Sequence, residues 1–118
     1  MRGLRGATTV DADTVEQVSA RTQELLLQLM ERNGLVEDDI ISILFTATPD
    51  VVSMFPATAA REIGFGAVPL ICAAEIAVDG ATPCCIRVLL HIQTSRARGD
   101  IHHVYLHGAQ GLRDDLPG

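Results

Sequence analysis

The residue in this sequence that most needs a chemical explanation is an arginine in the middle of a strand pattern. Arg87 stands in the run from Cys84 to Thr94, whose even positions, Cys84, Ile86, Val88, Leu90 and Ile92, form an unbroken apolar face. The odd positions, Cys85, Arg87, Leu89, His91 and Gln93, are mixed. Alternation of this kind marks a strand with one buried face. A guanidinium at its centre is costly unless it is paired or put to use. Arg5 lies in the opening segment on the face away from Leu4, and Glu75, at the end of a third apolar run, is the carboxylate that would accompany Arg87. Two readings fit these residue types. The arginines are fixed cations that hold an anion, or Arg87 and Glu75 form a structural bridge at a subunit contact, where ion-pair networks are also found.

Other chemistries find little support. There is no Gly-x-Ser-x-Gly, Cys-x-x-Cys or His-Glu-x-x-His pattern, so nothing matches a nucleophile turn, a redox pair or a zinc helix. His102, His103 and His107 cluster near the end, but His103 and His107 are too far apart on a strand to be adjacent, and His102 points the other way. They read as surface or edge histidines, and no metal site is expected. Gly3 and Gly6 match neither the dinucleotide nor the phosphate-loop spacing.

The elements that must position these residues follow from periodicity and breakers. Arg2 to Val10 reads as a strand, and Asp13 with Glu16 resembles a capping box. Val15, Val18, Thr22, Leu25, Leu26, Leu29 and Met30 fall on one face of a helix that Gly34 stops. Ile40 to Thr46 reads as a buried strand. Pro56 opens a second helix to Ile63, which Gly64 ends. Val68 to Ala74 is a third strand, Asp79-Gly80 a turn, Cys84 to Thr94 the long fourth strand, and His103 to Leu106 a fifth. The expected fold is α+β: one domain over residues 1–118, with a mixed five-stranded sheet packed on two helices. Helices cover one sheet face; the other carries arginines among apolar residues and is read as a subunit interface. Residues from about 114 to 118 are expected to be a loosely held tail.

Composition narrows the partners. At 118 residues the chain has room for one ordinary domain, and self-association would add to the burial available to it. A net charge of −6 argues against nucleic acid and anionic membranes as partners, although local arginines can still bind a small anion. Aromatics are too few to form base-stacking platforms. No apolar run approaches the roughly 18 residues of a membrane span, and the opening residues do not resemble a signal peptide. Cys84 and Cys85 are poorly placed for a mutual disulfide, so a reduced, cytoplasmic location is expected.

Read together, the segments carry a resemblance. Arg2-Gly-Leu-Arg5-Gly-Ala-Thr-Thr-Val10 looks like the opening signature of monofunctional chorismate mutases of the trimeric α/β type. Thr46-Ala-Thr-Pro-Asp50, Phe55-Pro-Ala-Thr-Ala-Ala-Arg61, Val68-Pro-Leu-Ile-Cys72-Ala-Ala-Glu75, Cys85-Ile-Arg87-Val88, His103-Val-Tyr105-Leu106 and Leu112-Arg113 agree with it in order and spacing, over nearly the whole chain. The resemblance implies a homotrimeric pseudo-α/β barrel, with active sites in the clefts between subunits and no cofactor. The reaction would be rearrangement of chorismate to prephenate on the route to phenylalanine and tyrosine. It implies that Arg5, Cys72, Glu75, Arg87, Tyr105, Leu112 and Arg113 line each cleft from one subunit, and Phe55, Ala57 and Arg61 from its neighbour. Thr58 stands where some members carry a lysine, so a cation there is not required by the pattern.

The residue types suit that reaction. An ether carbon–oxygen bond breaks as a carbon–carbon bond forms, with no proton transfer and no covalent intermediate. The protein must hold a reactive conformer and stabilise separating charge. As the ether oxygen becomes anionic, a fixed guanidinium beside it gains strength in the transition state, and removing one such donor typically costs about 2.7–4 kcal/mol. Arg87 is assigned that role, Glu75 the substrate hydroxyl, Arg5 and Tyr105 the carboxylates, and Phe55 a wall over the ring. Plainer readings stand beside these: Cys72 as a small buried hydrophobe, Tyr105 as an edge residue, Phe55 as a helix staple and Arg61 as a solvated helix residue. Cys72 and Glu75 differ in strand parity, so bringing both to one cleft requires a bend near Ala73 or Ala74.

Overall fold

The computed structural model describes residues 1–112. Strand β1 (Arg2–Thr9) leads into helix α1 (Val15–Arg32), and a single 3-10 turn (Glu37–Asp39) precedes strand β2 (Ile40–Ala47). Helix α2 (Pro56–Glu62), strand β3 (Leu70–Ala74), strand β4 (Cys85–Ile92) and strand β5 (Val104–Tyr105) follow, with short 3-10 turns at Arg98–Asp100 and His107–Ala109. The strands form one sheet in the order β3-β2-β4-β1-β5. β4 runs antiparallel to both β1 and β2, while β3 is parallel to β2 and β5 is parallel to β1. The expected fold of a mixed five-stranded sheet and two helices is what the chain adopts.

The core lies between the sheet and α1. Val18, Thr22, Leu25, Leu26 and Leu29 are buried on the helix. The three leucines meet Leu4, Ile43, Phe45, Val88 and Leu90 from alternate positions of three strands, while Val18 packs with Val10 and Ile86. Burying each large apolar side chain is worth roughly 1.5–3 kcal/mol. Gly6 permits the close approach. A Cβ there would lie 2.9 Å from Leu29 Cδ1, 3.1 Å from Leu25 Cδ1 and 3.2 Å from Val88 Cγ2. The glycine is required by helix–sheet packing, not by any phosphate.

Helix ends show where local chemistry differs from the simplest sequence reading. The N-cap of α1 is Thr14, whose hydroxyl accepts the Gln17 N–H at 3.1 Å, and Asp13 is not the capping residue. Threonine is a good cap, and Asp13 is engaged elsewhere. Val15, expected on the core face, is exposed because it lies in the first turn, beyond the sheet. The other end is as expected. Gly34, at φ +61°, lets the Leu35 N–H reach Met30 O at 2.9 Å in a glycine-terminated helix stop. The buried Asn33 beside it accepts the His102 N–H at 2.7 Å and donates to His102 O at 2.9 Å. The end of α1 therefore fixes the approach to β5.

Four strands are shorter than periodicity predicts, β1 by the single residue Val10. β3 starts at Leu70 because Pro69 has no N–H to give the ladder, though its carbonyl accepts from Ile43 N–H at 3.0 Å. β4 covers Cys85–Ile92, since Cys84 turns away at φ +49°. β5 is reduced to Val104–Tyr105.

Candidate active site

Strand register brings two of the sequence-predicted residues, Arg87 and Tyr105, to one row of the uncovered sheet face. Ala73 of β3 pairs with Thr46 of β2, Thr46 with Arg87 of β4, Arg87 with Ala7 of β1, and Ala7 with Tyr105 of β5. Residues paired in register share a face. Arg87 is therefore central, with Thr46 on one side and the small Ala7 on the other. Ala7, between Arg87 and Tyr105, is itself buried under the turn that carries Ala109. Leu44 and Leu89, on the same face, are only half-buried.

Glu75 lies just past the end of β3, where its N–H donates to Ala47 O at 3.0 Å. Its Oε1 accepts a hydrogen bond from the Thr46 hydroxyl and lies 3.5 Å from Arg87 Nε. The Arg87 side chain is 44% exposed and the Glu75 side chain 23%. A cation and an anion thus stand side by side on the open face, both still accessible. Such an arrangement can offer a fork of N–H donors to an anionic oxygen and a carboxylate to a hydroxyl.

Tyr105 and Leu112 pack against a small cluster of Ala7, Cys85 and Ala109 beside this row. The turn that carries Ala109 is tied to β1 by Gly108 N–H donating to Thr9 Oγ1 at 2.9 Å. Burial pushes the Cys85 thiol up, against the opposing pull of the Arg87 charge. Arg5 pairs with Leu89, two positions along β4 from Arg87, so the two arginines are diagonal neighbours, roughly 7–8 Å apart at Cα in such a ladder. Arg5 is held through its backbone, whose N–H donates to His103 Nδ1 at 2.9 Å. It lines a depression of about 380 Å³ with Arg2, Arg98 and His103. Arg113 and the expected tail fall outside the described residues.

A second group forms elsewhere. Phe55, Ala57, Arg61, Leu70, Ile71 and Cys72 line a groove of about 320 Å³ where α2 meets the sheet edge. Phe55 is 69% exposed and Ile71 65%, while Ala57 is buried. Here one expectation is corrected. No bend separates Cys72 from Glu75: β3 pairs with β2 without interruption from Leu70 to Ala74. Cys72 pairs with the fully buried Phe45 and packs on the core side. Within one chain Cys72 therefore stands with the Phe55, Ala57 and Arg61 group, and Glu75 stands on the other face with Arg87.

The loop that carries Phe55 is anchored by two carboxylates, Asp13, expected as a helix cap, and Asp50. Asp13 accepts the N–H groups of Val52 and Ser53 at 3.0 and 3.1 Å. Asp50 accepts the Thr48 hydroxyl at 2.5 Å and the Cys84 N–H at 2.9 Å. The Val52 N–H foremost holds the Asp13 carboxyl below its usual range, and the Thr48 hydroxyl does the same for Asp50. A carboxyl whose folded value is lowered adds stability above its unfolded value of about 3.9 and loses that contribution as pH falls through the folded value. Thermal unfolding followed from pH 5 downward should therefore be less pH-dependent in Asp13→Asn than in the parent chain. Identical slopes would show that these bonds do not survive in solution.

The histidines do not converge. His107 Nε2 lies 2.8 Å from Glu24 Oε1, His102 is bound through its backbone to Asn33, and His103 faces Arg5. Among the described residues no group of three or more His, Cys, Asp or Glu side chains is placed to hold a metal ion. No helix among them is long and apolar enough to cross a membrane.

Comparison with known proteins shows the family to which the chain belongs. The family model described as Chorismate mutase type I matches residues 1–116. The chain is 45% identical over 117 residues to Chorismate mutase AroH of Thermus thermophilus, covering 98% of this chain and 96% of that protein. It is 43% identical over 117 residues to Chorismate mutase AroH of Bacillus subtilis (strain 168), covering 98% and 92%. The solved structure of a chorismate mutase from Clostridium thermocellum matches with a TM-score of 0.92 at 49% identity, covering 93% of this chain and 98% of that chain.

Proposed function

This chain belongs to the chorismate mutase type I family, and from that premise we propose that its two residue groups are halves of one active site, completed between neighbouring copies in a trimer. The chain is an enzyme that rearranges chorismate to prephenate, within aromatic amino acid biosynthesis. Chorismate is a dianion with a hydroxyl, and the reaction separates charge without a proton transfer. The open face offers what that requires. Arg87 meets the ether oxygen as it becomes anionic, which is worth more in the transition state than in the ground state. Glu75 accepts the substrate hydroxyl and complements the positive character developing in the ring. Arg5 and Tyr105 hold carboxylate oxygens and Leu112 closes one wall; Arg113, outside the described residues, is the further cation the resemblance assigns. No cofactor has a step to perform.

The observation that carries the shared site is the position of β3 between the groups. Arg87 and Glu75 lie on one side of this edge strand, and Phe55, Ala57, Arg61 and Cys72 on the other. One chain cannot close both around a single small molecule. A second copy can, by bringing its Phe55 group over the Arg87 face of the first. The exposed Ile71 on an edge strand and the half-buried Leu44 and Leu89 give such a contact apolar surface to cover. All three cysteines are free thiols, which supports a cytoplasmic location. In sedimentation equilibrium the protein should behave as three copies of its 12.6 kDa chain. A monomer that turns over chorismate would remove the shared site.

A further inference from the structure

We propose that Thr46 is a positioning residue for the rearrangement: its hydroxyl fixes one oxygen of Glu75 so that the other is presented to the substrate. The proposal rests on the reading of Glu75 as the partner of the substrate hydroxyl, and it adds a residue that this reading does not contain. Glu75 sits beyond the last pair of β3, at the start of a largely exposed stretch, and the ladder does not fix its side chain. Two contacts do. One is the ion pair with Arg87, 3.5 Å long and with the guanidinium 44% exposed, a geometry in which solvent competes and orientation is weakly set. The other is the hydrogen bond from Thr46 Oγ1 to Glu75 Oε1. Both contacts fall on the same oxygen. Among the described residues no side chain or backbone group hydrogen-bonds to Oε2, and it is the acceptor left for a hydroxyl.

The donor is well supported in turn. Thr46 is bonded into the sheet on both sides, opposite Ala73 on β3 and Arg87 on β4. As a β-branched residue in a strand it has few side-chain orientations to lose. Its hydroxyl is therefore a fixed donor, and it sets a carboxylate that would otherwise rotate toward Arg87 and solvent. Removing the bond would let the carboxylate turn while leaving the charge pair in place. An oriented acceptor matters more to the rate than the same charge averaged over orientations.

Thr46→Val keeps shape and strand preference and removes the donor. It should lower kcat/KM for chorismate about tenfold, the usual scale for a hydrogen bond to a charged group. Thr46→Ser should return activity to within about twofold of the parent, because it restores the hydroxyl. In a Glu75→Ala background the same Val substitution should cost nothing further, since Thr46 acts through Glu75. A tenfold loss that persists in that background, or a Val variant as fast as the parent, overturns the proposal. If Glu75→Ala alone retains the full rate, the reading of Glu75 fails first and the role of Thr46 fails with it, a result distinct from the other two.

Discussion

Arg87→Ala should lower kcat/KM for chorismate by at least about a thousandfold while the protein keeps its fold and its assembly. The size of the loss follows from what the guanidinium does. One fixed donor to a developing anion is worth about 10²–10³ in rate, and an arginine can place two donors from one plane on adjacent oxygens. The survival of the fold follows from where the side chain lies. It is on the uncovered face and 44% exposed, so truncation opens no cavity in the core. The lost ion pair is long and half in water, worth about 1 kcal/mol or less. The neighbours that hold β4, Ile86 and Val88, point the other way and remain buried. Arg87→Lys should recover only part of the rate, because an ammonium supplies charge without the planar fork. The competing reading of a structural Arg–Glu bridge predicts the reverse: a weakened assembly, with near-normal turnover in whatever assembly remains. Circular dichroism and sedimentation alongside the rate separate the two. Turnover of Arg87→Ala within a few fold of the parent removes Arg87 from its assigned role.

What could be read from the sequence followed the range of the forces involved. The period-two run around Arg87 and the helical period from Val18 to Leu29 placed the long strand, the main helix and the two faces of the sheet, because burial repeats along the chain. The Gly34 stop was legible because a positive φ has one cheap solution. The ends of β3 and β5 were not, since their pairing is decided by residues distant in sequence. The same limit applies to the site. Arg87 stood out as a charge among apolar residues, and the family resemblance supplied its companions. Thr46 went unassigned because its meaning lies in a contact 29 positions away. Asp13 looked like a helix cap because carboxylates cap helices; its true partners, Val52 and Ser53, lie on a different loop. The resemblance puts Cys72 beside Glu75, which would need a bend in β3, and an unbroken parallel ladder keeps the two on opposite faces.

That separation of faces leads to the second large effect, which is a gain. Arg61→Ala, in the groove with Phe55 and Cys72, should leave about a tenth of the parent rate, as expected for loss of a charged contact to a dianion. Arg87→Ala should be close to inactive. If the site is shared, coexpression of the two variants in equal amounts gives assemblies in which each site takes its Arg87 half from one copy and its Arg61 half from the next. With a head-to-tail contact around a closed ring, random assembly would place both intact halves together in about a quarter of the sites. The mixture should recover about a quarter of the parent activity, roughly two and a half times that of Arg61→Ala alone and far more than that of Arg87→Ala. If each site belongs to a single chain, no mixing can rejoin the halves, and the activity settles at the mean of the two variants, about a twentieth of the parent on the same assumptions. The fivefold difference does not depend on how strongly either substitution perturbs stability, provided both chains are present in equal amounts. The experiment therefore tests the geometry itself: whether the groove at the α2 edge of one copy is the missing wall over the arginine face of another.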